Sequence, residues 1–110
     1  MVDILKALAD ETRLRLVAIL LEEPLCVCEI EACLNLTQSN VSRHLTVLKR
    51  AGILESYKMA QWVYYKINED FMLKHASLYQ YIVQSVKTMP SYETDYSQYK
   101  LCKKNNLCGK

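Results

Sequence analysis

Glycine and proline are scarce, with two of each in 110 residues. An all-β chain needs more of both for its tight turns, so that class is excluded. No apolar run approaches the length of a bilayer span, so no membrane-spanning helix is expected. The start, Met1-Val2-Asp3-Ile4, has neither the basic residues nor the small-residue cleavage site of a signal peptide. There is no phosphate-binding glycine loop, no nucleophile elbow and no convincing acid–base pair, so an enzyme is not expected. These absences predict a cytoplasmic protein with reduced thiols and no membrane partner.

What is present is the composition of a globular domain, 51% hydrophobic and 24% charged. The length suits one domain, and dimerisation would help cover the apolar surface that a small domain leaves exposed. A net charge of +2 hides an uneven distribution. From Thr37 to Ile67, Arg43, Lys49, Arg50, Lys58 and Lys66 face a single acid, Glu55. The other acids crowd the first part of the chain and the segment from Glu69 to Asp95. A basic middle suits a DNA-facing surface, or an ordinary solvated one.

Ile4, Leu5 and Leu8 predict a short first helix. Asp10 is placed to cap a second, with Leu14, Val17, Leu20 and Leu21 at helical spacing and Pro24 ending it. A third helix is expected from Leu25 or Cys26 through Leu34, and Thr37 caps a fourth. In that fourth helix Val41, Leu45 and Leu48 point inward, and Gly52 lies just past its end. Ile53–Lys58 and Trp62–Ile67 read as two strands joined at Met59-Ala60-Gln61. The fold class is therefore mainly α with a β-hairpin, a winged helix-turn-helix. Asn68 caps an expected long helix from Glu69 to about Met89, whose apolar surface suits a homodimer partner or its own domain. Residues 1–90 are read as the DNA-binding and dimerisation domain. Residues 91–110 are read as a cysteine-containing tail, loose or with a helical turn or two.

The fourth helix carries the candidate DNA contacts. Gln38 and Asn40 have amides suited to adenine edges, and Arg43 suits guanine or phosphate. Ser39, Ser42, Lys49 and Lys58 suit phosphates of double-stranded DNA. His44, beside Arg43, reads either as a phosphate contact or as a packing histidine.

Five cysteines in a cytosolic chain point to metal binding or reactivity rather than to a disulfide framework. Cys26 and Cys28 are one residue apart. Mid-helix they would diverge by about 200°, but at a helix start they can converge. That position also favours thiolate. With no nearby His or Asp, an all-sulfur site for a soft ion is the expectation, against two small buried hydrophobes. Cys33 lies two turns further on and reads as core. Cys102 and Cys108, beside lysines, are candidate third ligands or unused thiols.

Four ordered motifs carry a resemblance. Lys6-Ala7-Leu8-Ala9-Asp10-Glu11-Thr12-Arg13-Leu14-Arg15-Leu16, Leu25-Cys26-Val27-Cys28-Glu29-Ile30, Thr37 to Leu45, and Trp62-Val63-Tyr64-Tyr65 resemble the ArsR/SmtB family of metal-responsive repressors, most closely its arsenic-sensing branch. The resemblance implies a homodimer on a palindromic operator, released when arsenite or antimonite binds cysteine thiolates, with no organic cofactor. Cys26 and Cys28 match the family's sensing pair. Some members carry a third cysteine where this chain has Glu31, which leaves Cys102 or Cys108 to complete the metal site. The zinc-sensing members use Asp and His on the last helix, where only His75 is found. Cadmium and lead sensors draw further cysteines from an N-terminal extension, and these 110 residues hold none. The alternatives are a thiol redox or persulfide sensor on the same DNA-binding module, a cadmium or lead sensor, and a metal-trafficking protein that does not bind DNA.

Overall fold

The computed structural model describes residues 1–105, without the side chain of Asn105. Helices α1 (Val2–Leu8) and α2 (Glu11–Leu20) lead into a short strand β1 (Leu25–Cys26), then α3 (Val27–Leu34) and α4 (Gln38–Arg50). Strands β2 (Leu54–Met59) and β3 (Trp62–Ile67) precede α5 (Glu69–Lys74), α6 (Ala76–Ser85), a 3-10 turn (Val86–Thr88) and α7 (Tyr92–Asn105). This is a winged helix-turn-helix, and no helix among the described residues is long and apolar enough to cross a membrane.

The expected caps all form. Asp10 Oδ1 accepts from the Arg13 N–H at 3.0 Å, Thr37 Oγ1 from Asn40 at 3.3 Å, and Asn68 Oδ1 from Asp70 at 2.9 Å. Each satisfies a donor that the first turn of a helix leaves open. Gly52 closes α4 at φ 82°, where a side chain would be strained. The Gly52 and Ile53 N–H groups then return to the Lys49 and Leu48 carbonyls, both at 3.0 Å. Between α3 and α4, Asn35 takes a left-handed φ of 54°, which asparagine tolerates better than most residues.

Leu16, Leu25, Ile30, Val41, Leu45, Leu48 and Ile53 are fully buried and hold α2, α3, α4 and the sheet around one core. Each such side chain contributes roughly 1.5–3 kcal/mol on burial.

Three elements differ from the sequence reading. The third helix begins at Val27, not at Leu25 or Cys26. Those two residues are extended and pair antiparallel with β3, Leu25 opposite Tyr65 and Cys26 opposite Tyr64. The hairpin is thus part of a three-stranded sheet, order β1-β3-β2. A two-residue strand has too little pattern to show alternation. The expected helix from Glu69 to Met89 is broken at His75, whose backbone (φ −123°, ψ 46°) leaves the helical region. Periodicity continues through both pieces, which is why the break is silent in the pattern. Third, Tyr92–Asn105 forms a helix of 14 residues packed on α3 and α2. The boundary expected between residues 90 and 91 falls at the turn that enters it.

Candidate nucleic-acid interface and thiol site

Helix α4 separates cleanly into two faces. Val41, Leu45 and Leu48 are buried, while Gln38, Ser39, Asn40, Ser42, Arg43 and Lys49 are exposed. Arg43 Nη2 donates to Asn40 Oδ1 at 3.1 Å, so these two long side chains are already oriented together. Lys49 Nζ donates to Ser56 Oγ at 2.7 Å, joining α4 to β2. Lys58 is exposed further along the same strand. The arrangement presents amides, hydroxyls and cations on one surface, the chemistry that reads base edges and phosphates.

His44 does not share that surface. It is 8% exposed, and its Nδ1 lies 3.2 Å from Arg13 Nη1. Arg13 is itself fixed by a bond from Nε to the Ala7 carbonyl at 2.6 Å. Of the two readings of His44, the structure places it in packing between α2 and α4. Burial holds its pKa below the ordinary value, Arg43 and Arg13 push the same way, and Asp10 opposes them.

The wing joins Met59 to Trp62 through Ala60-Gln61, with Ala60 at φ 57°. Positive φ at the first turn residue alone normally calls for glycine. The missing turn signal in the sequence is therefore a strained alanine rather than a different loop.

The thiol site is built at the junction of β1 and α3. Cys26 ends the strand and occupies the N-cap of α3, with extended backbone (φ −84°, ψ 166°). The bend there, which a continuous helix would not supply, brings the Cys26 and Cys28 sulfurs to 3.5 Å. A capping box surrounds them: the Cys26 sulfur faces the Glu29 N–H, and Glu29 Oε1 accepts from the Cys26 N–H at 3.1 Å. Cys26, Cys33 and Cys102 are free thiols, while Cys28 is disulfide-bonded in this structure.

Cys33 is core, as expected, but it has a neighbour that sequence spacing could not show. Burial, and then a hydrogen bond with the Cys102 thiol, push the Cys33 pKa well up. Cys102 is 5% exposed on α7 and also lies 3.8 Å from Gln98 Nε2. So the structure joins Cys26 with Cys28, and Cys33 with Cys102. Cys108 lies outside the described residues. Among the described residues, no three His, Cys, Asp or Glu side chains gather to hold an ion.

Polar links that the sequence reading missed fix α7 in place. Arg15 donates twice to Asp95, at 2.8 and 2.9 Å, and once to the Leu34 carbonyl at 3.2 Å. The Tyr99 hydroxyl donates to Glu23. Lys103 Nζ lies 2.9 Å from Glu29 and 3.5 Å from Glu23. Each link spans a large sequence separation, so no local pattern announces it.

Comparison with known proteins places these features in a group. Residues 10–56, covering α2 through the start of the wing, match the bacterial regulatory protein family arsR. The arsenic resistance transcriptional regulator ArsR1 of Pseudomonas putida is 44% identical over 68 residues, 61% of this chain and 53% of that protein. The chain thus spans about half the length of that relative. A homolog of the cadmium resistance regulator CadC from Staphylococcus aureus is 33% identical over 87 residues, 76% of this chain and 72% of that one. Among solved structures, HlyU from Vibrio cholerae aligns with a TM-score of 0.63 at 36% identity, over 74% of this chain and 88% of that one. The chain has the winged-helix fold, and it belongs to the arsR family of bacterial regulatory proteins.

Proposed function

We propose that this regulator is a homodimeric repressor of operator DNA whose inducer is trivalent arsenic or antimony, bound through cysteine thiolates. The observation that carries this reading is the Cys26–Cys28 pair, with sulfurs 3.5 Å apart at the start of the helix that packs on α4. Two converging sulfurs suit a soft ion, and the ion requires both as thiolates, so the reduced protein is the responsive form. Similarity to an arsenic resistance regulator supports the choice of metalloid. The third sulfur is assigned to Cys102 or Cys108.

Dimerisation is supported by apolar surface on the helices outside the DNA-facing side. Leu5, Leu73 and Tyr81 are exposed, and a groove of about 360 Å³ runs between Leu5, Leu8 and Leu14 and the α6 residues Leu78, Tyr81 and Ile82. A dimer that reads successive major grooves needs its two α4 helices roughly 34 Å apart, one turn of DNA. Gln38, Asn40 and Arg43 then read bases, while Ser39, Ser42, Lys49 and Lys58 hold phosphates. Drawing the thiolates around an ion distorts the start of α3, and α4 moves with it. A ten- to hundredfold loss of DNA affinity needs only about 1.4–2.8 kcal/mol of coupling.

A second reading rests on the Cys33–Cys102 contact. Two thiols bridging α3 and α7 can give up two protons and two electrons to a peroxide, forming a disulfide while the peroxide becomes water. One experiment separates the readings. Operator binding is measured for wild type, Cys26→Ser/Cys28→Ser and Cys33→Ser, with arsenite, antimonite, cadmium or peroxide. The metalloid reading requires release by arsenite or antimonite in wild type and none in the double variant. Release by cadmium alone points to a soft-metal sensor. Release by peroxide alone, abolished in Cys33→Ser, transfers the assignment to redox control.

A further inference from the structure

We infer that Glu29 is a positioning residue that transmits the state of Cys26 to the last helix, α7, through Lys103. The inference rests on the thiol-sensing reading and extends it to a part of the molecule remote from DNA. Glu29 uses its two carboxylate oxygens in different directions. Oε1 accepts from the Cys26 N–H at 3.1 Å, and Oε2 accepts from Lys103 Nζ at 2.9 Å. The Glu29 side chain is only 12% exposed; its bond to the Cys26 N–H is partly buried, while the bond to Lys103 lies at the surface. Lys103 also lies 3.5 Å from Glu23, which accepts a hydrogen bond from the Tyr99 hydroxyl. One residue before Lys103, Cys102 sits against Cys33. The last turns of α7 are therefore held to the first turn of α3 by a continuous chain, Cys26–Glu29–Lys103–Glu23–Tyr99.

A capping box is reciprocal: each side chain holds the other residue's backbone N–H. The sulfur of Cys26 is one half of this box and the carboxylate of Glu29 the other. When that sulfur turns to an ion, the Glu29 N–H loses its acceptor and the first turn loosens. The carboxylate that leaves with it is the same group that anchors Lys103. Capping alone needs one oxygen of Glu29. The second oxygen, aimed at another helix, is what makes the residue a connection.

Amide hydrogen exchange of the full chain, reduced, reads this directly. Wild type, Glu29→Gln, Lys103→Met, Lys103→Arg and Cys26→Ala are compared, each with and without arsenite, whose binding is followed by thiolate–arsenic absorbance. Arsenite bound to wild type should raise exchange across residues 99–104 about tenfold, the scale of one lost charge-assisted hydrogen bond. In Glu29→Gln and Lys103→Met that exchange should already be raised, with arsenite adding less than about twofold. Lys103→Arg should restore the arsenite-dependent change, which a purely structural role would not require. Cys26→Ala opens the box without any inducer. It should raise exchange at 99–104 by about the same tenfold, but only where Glu29 is intact. If arsenite does not bind, the metalloid reading fails while Cys26→Ala still decides the connection. Unchanged exchange at 99–104 in Cys26→Ala overturns the inference, as does unchanged exchange in arsenite-bound wild type.

Discussion

Arg13 holds a guanidinium nitrogen 3.2 Å from His44 Nδ1, linking α2 to the interior side of α4. Arginine can only donate, so Nδ1 accepts and the His44 ring is neutral. Burial first, then Arg43 and Arg13, keep the ring from taking a proton that it takes near pH 6.5 when unfolded. The unfolded chain then binds more protons below that pH, so stability is fully present above 6.5 and is lost as pH falls toward the folded value. Urea unfolding between about pH 7.5 and pH 5.5 should show this decline in wild type and a shallower one in His44→Gln. Equal slopes in the two proteins would remove His44 from the account.

Lys49 and Arg43 should fail differently on DNA. Lys49, tied to Ser56 in β2, is proposed to hold a phosphate. Lys49→Ala should weaken binding to all sequences alike and reduce the slope of log affinity against log salt by about 0.9. Arg43, which donates to Asn40, is proposed to read a base. Arg43→Ala should relax preference at one base pair by about 1–3 kcal/mol. Titrations of matched and mismatched operators at several salt concentrations separate the two effects.

Ala60 sits at φ 57° in the two-residue wing turn. A non-glycine residue there costs about 1–2 kcal/mol. Glycine relieves the strain but makes the unfolded chain more flexible, at about 0.4–1 kcal/mol. Ala60→Gly should therefore stabilise the protein by about 0.5–1 kcal/mol. A thermal melt with no gain would mean that the turn carries no strain.

Asp95 is 8% exposed and takes two bonds from Arg15. Asp95→Ala leaves a half-buried guanidinium short of its partner, and the loss should be about 2–3 kcal/mol. Arg15→Lys should recover little of this, since an ammonium cannot make the same forked contact. Denaturant midpoints of the two variants provide the check.

Features set by near neighbours were legible in the sequence. Asp10, Thr37 and Asn68 cap helices because a short oxygen-bearing side chain reaches the next turn, and Gly52 ends α4 because only glycine is at ease at its φ. The inward face of α4 followed from spacing alone. The pairing of β1 with β3, the break at His75 and the packing of α7 were not legible, because distant parts of the chain impose them. The same holds at the site. The closeness of Cys26 to Cys28 was expected from one intervening residue, whereas Cys33 meets Cys102, and Glu29 meets Lys103, only through the fold. His44 neighbours Arg43 in sequence, but it is buried where Arg43 is exposed, a choice between its two readings that sequence adjacency alone does not make.

The register that sets Cys26 opposite Tyr64 makes the sulfur site an edge of the wing's own sheet. Strand β3 has a partner on each side only while Cys26 stays extended. Were Cys26 to leave, β3 would become an outer strand and the wing a two-stranded ribbon, which is marginal on its own in water. An event at one sulfur would then reach the DNA twice, through the tilt of α4 and through the stiffness of the hairpin beside it.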